Sequence, residues 1–68
     1  MILREITHAL ATMLQAAQIP DAGFEAGCMT ASVCGADYRQ KPEQPVSDTE
    51  AEALQTHCKK RITAQPLQ

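Results

Sequence analysis

Residues 47–50 read Ser-Asp-Thr-Glu and give the clearest structural signal in this 68-residue chain. Ser47 followed three positions later by Glu50 is a capping box, in which each side chain bonds the backbone amide of the other at the start of an α-helix. Basic residues 59–61 stand near the expected end of this helix, as the helix dipole favours. The segment therefore predicts a capped helix that ends at Gln65-Pro66. Its predicted inner face consists of Ala51, Leu54, Cys58 and Ile62.

A second helix is predicted at the amino terminus, from about Ile2 to Ala17. Apolar residues recur there at three- and four-residue spacing, which is typical of a helix with one buried face. Pro20 is expected to stop it, because proline cannot continue the hydrogen-bond ladder. Thr7 is expected to lie outside the apolar stripe. The stripe consists of Leu3, Ile6, Leu10, Met13, Leu14 and Ala17.

A third helix is predicted between these two, from Ala22 to Cys34. Asp21 is suited to cap its start through its side-chain oxygen, and Gly35 is suited to the left-handed residue after its end. Glycines 23 and 27 lower its intrinsic propensity, so packing must stabilise it. Its predicted inner stripe consists of Phe24, Cys28, Ala31 and Cys34, with Met29 and Val33 widening it.

The complete pattern predicts an all-α fold: a small bundle of three main helices with one or two short helical turns between them. Asp37 could cap a single turn through Lys41, after which Pro42 and Pro45 prevent regular structure from continuing. Sixty-eight residues suffice for one core, so residues 1–68 are interpreted as a single domain.

Charge and hydropathy limit the function classes. The formal net charge of −2 gives no general attraction to nucleic acid or to an anionic membrane. No apolar run approaches the roughly 18 residues of a membrane span, and Arg4 and Glu5 interrupt any signal-peptide pattern. The three cysteines are an odd number, which fits reduced thiols and a cytoplasmic protein.

The thiols are the strongest chemical candidates. Cys28, Cys34, Cys58 and His57 are the ligand types of a zinc site, but zinc ligands normally come in pairs two to four residues apart on a tight turn. Cys28 and Cys34 are six apart on one helix, and adjacent residues 57 and 58 point about 100° apart. We therefore expect no metal site, and interpret the cysteines as small core hydrophobes.

Other chemistry is weakly supported. A cysteine nucleophile needs a base, an orienting group and an oxyanion site, for which a short helical chain has little room, and His8 and His57 are interpreted as ordinary surface or boundary residues. Basic residues 59–61 lack the interleaved aromatics of an RNA site and suit the helix dipole. No glycine-rich phosphate loop or paired carboxylates are present. The chain is expected to hold no catalytic residue, cofactor or metal of its own.

The residues at the helix ends and in the connections between the helices form a distinctive ordered set. In their order and spacing, they resemble the N-terminal domain of bacterial release factor glutamine methyltransferases, the HemK/PrmC family. The resemblance covers essentially the whole chain. The residues that carry it are Ala16–Ala22 with Glu25 and Ala26, then Gly35, Pro42–Ser47, Arg61 and Gln65–Gln68.

The resemblance implies a function that composition does not. In that family, a helical domain precedes a Rossmann-like catalytic domain that binds S-adenosylmethionine, and the whole enzyme methylates the glutamine of the Gly-Gly-Gln motif in class I peptide release factors. The helical domain helps dock the release factor, while an Asn-Pro-Pro-Tyr motif in the second domain holds the glutamine. This chain lacks that motif, so we expect a docking domain cut from a larger two-domain enzyme. Candidate contacts with the partner or the catalytic domain are Arg61, Pro66, Leu67 and Gln68.

Two features depart from the family pattern. The segment from Gly35 to Pro42 is a few residues short, so the family's middle helix is expected to be reduced to one turn. Cys28, Thr30 and Cys34 stand where bulky aliphatics are commoner, which indicates a thinner core. Two other interpretations remain open: a free-standing helical adaptor that binds proteins, and a metal-binding or redox protein that uses the thiols.

Overall fold

The computed structural model describes residues 1–64 and folds them into three helices: α1 (Leu3–Ala16), α2 (Ala22–Cys34) and α3 (Asp48–Thr63). Helix α1 packs mainly against α2, and α3 packs against both. The predicted all-α bundle of three main helices is confirmed. Within the described residues, no helix combines the length and the apolar character that crossing a membrane requires.

Helix α1 buries the predicted stripe. Leu3, Ile6, Leu10 and Leu14 are at most 2% exposed, and Met13 and Ala17 are half-buried. They form the core together with residues from the other helices and two connecting segments. Those further core residues are Ile19, Ala26, Met29, Val46, Leu54 and Cys58.

The end of α1 corrects the prediction that Pro20 stops it. Gln18 adopts a left-handed backbone conformation with φ of 63°. Its amide donates to the Gln15 carbonyl at 2.9 Å, and the amide of Ile19 donates to the Leu14 carbonyl at 3.0 Å. This pair of bonds is the Schellman motif, and Ile19 and Leu14 are both buried beside it. The helix therefore ends through Gln18, two residues before the proline.

The start of α1 is capped by a distant segment. The amides of Leu3 and Arg4 donate to the carbonyls of Gln44 and Pro42 at 2.9 and 2.8 Å. The amide of Val46 donates to the Met1 carbonyl at 2.8 Å, beside an isolated antiparallel bridge between residues 2 and 45. These bonds satisfy amides that have no partner inside the helix, and they hold the proline-containing segment against the bundle.

Helix α2 has the predicted bounds but buries a different face. Phe24 is 67% exposed, and Cys28 and Ala31 are also exposed, so the predicted inner stripe is wrong at these positions. At 100° per residue, they lie about 180° from the face that is actually buried. Cys34 is half-buried. The core side of α2 consists of Ala22, Ala26, Met29, Thr30 and Val33.

The start of α2 also differs from the prediction. Asp21 is the N-cap residue, but its backbone is left-handed with φ of 55° and its side chain makes no capping hydrogen bond. Its carbonyl accepts from the Glu25 amide at 2.9 Å. Gly35 has φ of 70° and ends the helix in the left-handed conformation, as predicted.

Two threonines meet in the α1–α2 contact. Thr7 is 3% exposed, so the prediction that it lies outside the stripe is wrong, and Thr30 is fully buried. Thr7 Oγ1 lies 3.2 Å from Thr30 Oγ1 and 2.8 Å from the Leu3 carbonyl oxygen. Thr30 donates within its own helix, with the Gly27 carbonyl at 3.0 Å. Each hydroxyl is therefore satisfied inside the core, which removes the cost of burying it.

Helix α3 and the turn before it match the sequence analysis. The Glu50 amide donates to Ser47 Oγ at 3.1 Å and the Ser47 amide donates to Glu50 Oε1 at 3.0 Å, which confirms the capping box. Leu54 and Cys58 are fully buried. The amide of Lys41 donates to the Asp37 carbonyl at 2.9 Å, so the predicted single turn forms.

The orientation of α2 is tested by two matched alanine substitutions. Ala26→Leu adds three carbons in the closed α1–α2 contact and should lower the free energy of unfolding by about 1–3 kcal/mol. Ala31→Leu makes the same change on the exposed face and should stay within about 0.5 kcal/mol of the parent. Urea denaturation followed by circular dichroism measures both. If Ala31→Leu destabilised the chain and Ala26→Leu did not, α2 would bury the face predicted from the sequence instead.

Candidate functional site

A bidentate ion pair joins α2 to α3. Arg61 Nε donates to Glu25 Oε1 at 2.8 Å, and Arg61 Nη2 donates to Glu25 Oε2 at 3.1 Å. Both side chains are partly buried, with 36% of the arginine and 26% of the glutamate exposed. Glu25 lies in the first turn of α2 and Arg61 in the last turn of α3. Each charge therefore also suits the dipole of its own helix.

The ion pair changes the acidity of both groups. The hydrogen bonds from Arg61 are the largest influence on Glu25, and together with the arginine's charge they outweigh desolvation and lower the pKa of the carboxyl below 4.5. The same hydrogen bonds raise the pKa of Arg61. Glu25 therefore stays ionised in more acidic solution than a glutamate without such a partner.

Arg61 was predicted to contact a partner or a second domain. The ion pair does not test that prediction, which stays a prediction. The structure places its guanidinium against Glu25, so part of its hydrogen-bonding capacity is used inside the bundle. The other three predicted contact residues, Pro66, Leu67 and Gln68, lie outside the described residues.

The three cysteines are free thiols in three different environments. Cys28 is exposed, Cys34 is half-buried and Cys58 is buried. The prediction that all three act as core hydrophobes is therefore correct for Cys58, correct in part for Cys34 and wrong for Cys28. Burial raises the pKa of the Cys58 thiol. Burial, followed by the nearby Glu50 carboxylate, raises the pKa of Cys34.

The structure brings together only some of the cysteine and histidine residues that were considered as ligands of a zinc site. His57 is exposed while the adjacent Cys58 is buried, as expected for neighbours on a helix. His57 lines a cleft of about 220 Å³ together with Cys28 and the Glu25–Arg61 pair. Within residues 1–64, no group of three or more histidine, cysteine or acidic side chains is placed to hold a metal ion.

Among the described residues, the most exposed large apolar side chain is Phe24, on the outward face of α2. Phe24 and Tyr38 line a groove of about 390 Å³, which we name the Phe24 groove. A Cβ atom on Gly27 would lie 3.1 Å from Tyr38 Cε1, so the tyrosine ring packs directly on the helix backbone. The residues that line the Phe24 groove are Gly23, Phe24, Gly27, Cys28, Ala31, Asp37, Tyr38 and Arg39.

The sequence pattern did not predict this groove, because Phe24 was expected to lie in the core. The available signal was the presence of two apolar faces on one helix, since Ala22, Met29 and Val33 already supply a complete buried stripe. Gly27 on the remaining face then allows the ring of Tyr38 to approach the backbone.

Comparison with known proteins matches the sequence of this chain to a family model. Residues 5–68 match the family model described as the PrmC N-terminal domain. The chain belongs to the PrmC N-terminal domain family. The resemblance inferred from the residues at the helix ends and connections is therefore confirmed, even though α2 was assigned the wrong inner face. No curated protein and no solved structure matches the chain.

The ion pair in this PrmC N-terminal domain predicts a pH-dependent contribution to stability. Because the folded-state pKa of Glu25 is lowered, its contribution is fully present above the unfolded value and is lost as pH falls through the folded value. Arg61→Gln should return the pKa of Glu25 towards its ordinary 4.5. Carbon-detected NMR titration measures this directly.

The matched control for that titration is Arg39→Gln, which removes an arginine elsewhere and should leave the Glu25 titration unchanged. The difference in melting temperature between the parent and Arg61→Gln should shrink as the solution becomes more acidic than pH 4.5. A Glu25 titration that is the same with and without Arg61 would show that the ion pair is absent in solution.

Thiol reactivity should follow burial. With an aromatic disulfide reagent at neutral pH, Cys28 should react first, Cys34 more slowly and Cys58 only as fast as the bundle opens, because the thiolate is the reacting species and needs access to solvent. Cys28→Ser should remove the fast phase and leave the slowest phase unchanged. Peptide mass spectrometry assigns the phases. Equal rates at residues 28 and 58 would contradict the observed orientation of both helices.

Proposed function

We propose that this chain is the substrate-docking domain of an S-adenosylmethionine-dependent methyltransferase that modifies the Gly-Gly-Gln glutamine of class I peptide release factors. The observation that carries the proposal is the family match over residues 5–68. In this proposal the chain works in the cytoplasm as part of an enzyme and binds the substrate protein, while the chemistry belongs to a catalytic domain outside these residues.

The arrangement of the described residues supports a docking role. The interior is filled by aliphatic side chains and satisfied threonine hydroxyls, so the larger hollows lie on the surface rather than in the core. A rigid bundle of this kind acts by positioning: it holds a substrate protein near a reactive group and thereby reduces the entropic part of the barrier. The exposed aromatic Phe24 is the kind of residue that anchors protein contacts.

The described residues do not fit the cofactor itself. Dinucleotide and adenosyl cofactors are usually held by a glycine-rich loop between a strand and the N-terminus of a helix. Here Gly23 and Gly27 lie inside α2, and Gly35 follows its end. We therefore assign S-adenosylmethionine to the catalytic domain and derive no step of the reaction in this chain.

The proposal predicts binding without turnover. The purified 68-residue chain should bind a class I release factor with a dissociation constant on the order of 10 µM, as expected of a small transient interface. It should transfer no methyl group from radiolabelled S-adenosylmethionine to that release factor. Isothermal titration calorimetry measures the first quantity and filter counting the second.

A release factor with alanine in place of the Gly-Gly-Gln glutamine is the matched control. It should bind equally well, because a docking domain contacts the substrate away from the reacting side chain. If the folded chain failed to bind either release factor at roughly 100 µM, ten times the expected constant, the docking role would be rejected. Methyl transfer by the chain alone would reject the division between docking and catalysis.

A further inference from the structure

The outward face of α2 is apolar, and within the described residues its exposed part at Phe24, Cys28 and Ala31 lies open to solvent. Phe24 is 67% exposed, and Met1 is the other large apolar residue that stays exposed within residues 1–64. Cys28 and Ala31 continue the same face along the helix and are also exposed. In a bundle this small, an exposed phenylalanine leaves apolar area in water that the core does not use, and such a patch often marks an interaction site.

The Phe24 groove has the dimensions and walls of a pocket for one or two side chains. It measures about 390 Å³, with the Phe24 ring on the helix face and the Tyr38 ring packed on Gly27. A second groove of about 270 Å³ shares Gly23 and Tyr38 with it and continues towards α1. Because the two grooves share these lining residues, they adjoin one another, and we call the two together the depression around Tyr38.

The charges around this depression are mainly positive. Arg39 borders the Phe24 groove and is 70% exposed, with its guanidinium carbon 6.0 Å from the centroid of the Tyr38 ring. Arg4 lines the second groove, together with His8. Asp37 is the acidic group among the lining residues of the two grooves, and its carboxylate lies 3.8 Å from Arg39 Nε.

The separation between Arg39 and Asp37 is too long for a strong hydrogen bond, so the arginine keeps donors for another carboxylate. Two arginines and one carboxylate leave a local excess of one positive charge, although the whole chain carries −2. This local charge favours a negatively charged ligand at the site, in contrast to the overall charge.

We propose that the Phe24 groove binds a protein segment in which one apolar side chain is flanked by aspartate or glutamate residues. The apolar side chain lies between Phe24 and Tyr38, and the flanking carboxylates contact Arg39 on one side and Arg4 on the other. Aromatic residues and arginine are the types that contribute most at protein interfaces. That the segment belongs to the docked substrate protein rests on the proposed function; the chemistry of the segment rests on the groove alone.

Three short peptides test the chemistry of the occupant. Each is a capped Gly/Ser nonapeptide with a different centre: Asp-Leu-Glu, the charge-reversed Lys-Leu-Lys, or Asp-Ser-Glu without the apolar side chain. Added to the ¹⁵N-labelled 68-residue chain, the Asp-Leu-Glu peptide should shift the amide signals of Gly23, Gly27, Tyr38 and Arg39. The other two peptides should bind at least about tenfold more weakly, since each loses one of the two complementary features.

Variants of the chain locate the contact. Arg39→Glu and Phe24→Ser should each weaken binding of the Asp-Leu-Glu peptide at least about fivefold. Lys59→Glu, which makes the same charge change on α3, should not. Both groove residues are exposed, so the melting temperatures should stay near that of the parent; if Phe24→Ser unfolds, Arg39→Glu still decides the result. Equal binding of the basic peptide, or shifts confined to another surface, would overturn the proposal.

The same variants separate this proposal from the docking function. If the release factor binds the parent chain, and binds Arg39→Glu and Phe24→Ser equally well, the groove is not the docking surface while the function stands. If the Asp-Leu-Glu peptide binds the groove but the release factor does not bind the chain, the function fails while the groove's chemistry stands. Groove signals that shift on dilution of the chain alone would show that a second copy covers it, and would overturn the proposal.

Discussion

The contact between two buried threonine hydroxyls, Thr7 on α1 and Thr30 on α2, constrains how the second helix is turned. Their oxygens are 3.2 Å apart in a closed core, and Thr30 is fully buried. Each hydroxyl also has a carbonyl partner in its own helix, so the pair adds a close polar contact between the helices. Rotating α2 away from this contact would expose the apolar side chains on the same face, such as Met29, to water. The rotation that keeps the pair also puts Ala26 against α1 and turns Phe24 outward. The rotation of α2 about its own axis therefore determines both which of its side chains lie in the core and which are exposed.

The sequence predicted the elements well and the long-range contacts poorly. In α1 the apolar and polar residues fall on different sides, so spacing identified its aliphatic core residues, although it missed the buried Thr7. In α3 spacing identified Leu54 and Cys58, and the Ser47–Glu50 capping box marked a start that needs no tertiary information. Apart from Glu25, helix α2 has small or apolar residues all round, so periodicity alone does not select a face. The choice depends on close packing and on Thr30, whose hydroxyl can be buried because it donates to a carbonyl of its own helix and lies against the Thr7 hydroxyl.

In the segments that connect the helices, too, the sequence predicted local features but not long-range contacts. The turn at Asp37 is local and was predicted, whereas the hydrogen bonds that link residues 42–46 to the first turn of α1 join positions about forty residues apart. Proline indicated only that the segment is not helical. The left-handed conformation of Gln18 was missed because glycine is the usual residue there, and Pro20 offered a simpler explanation for the helix end. Among the candidate site residues, the sequence singled out Arg61 but gave no sign that Glu25 would hold it.

The opposite placement of the two α2 faces has a consequence for how this small domain combines stability with binding. A 68-residue chain has a small core and is only marginally stable. If the same residues served both folding and recognition, a substitution that improved binding would lower the stability of the domain. Here Ala26, Met29 and Thr30 face the core, while Phe24 and Tyr38 line a groove on the far side of the same backbone. The exposed groove residues Phe24 and Arg39 can change without opening a cavity in the core, whereas Tyr38 also packs against the core. The backbone of α2 carries Phe24 and supports the ring of Tyr38 through Gly27, so the groove proposed as a binding surface has two of its walls in place before a ligand arrives, which lowers the entropic cost of binding.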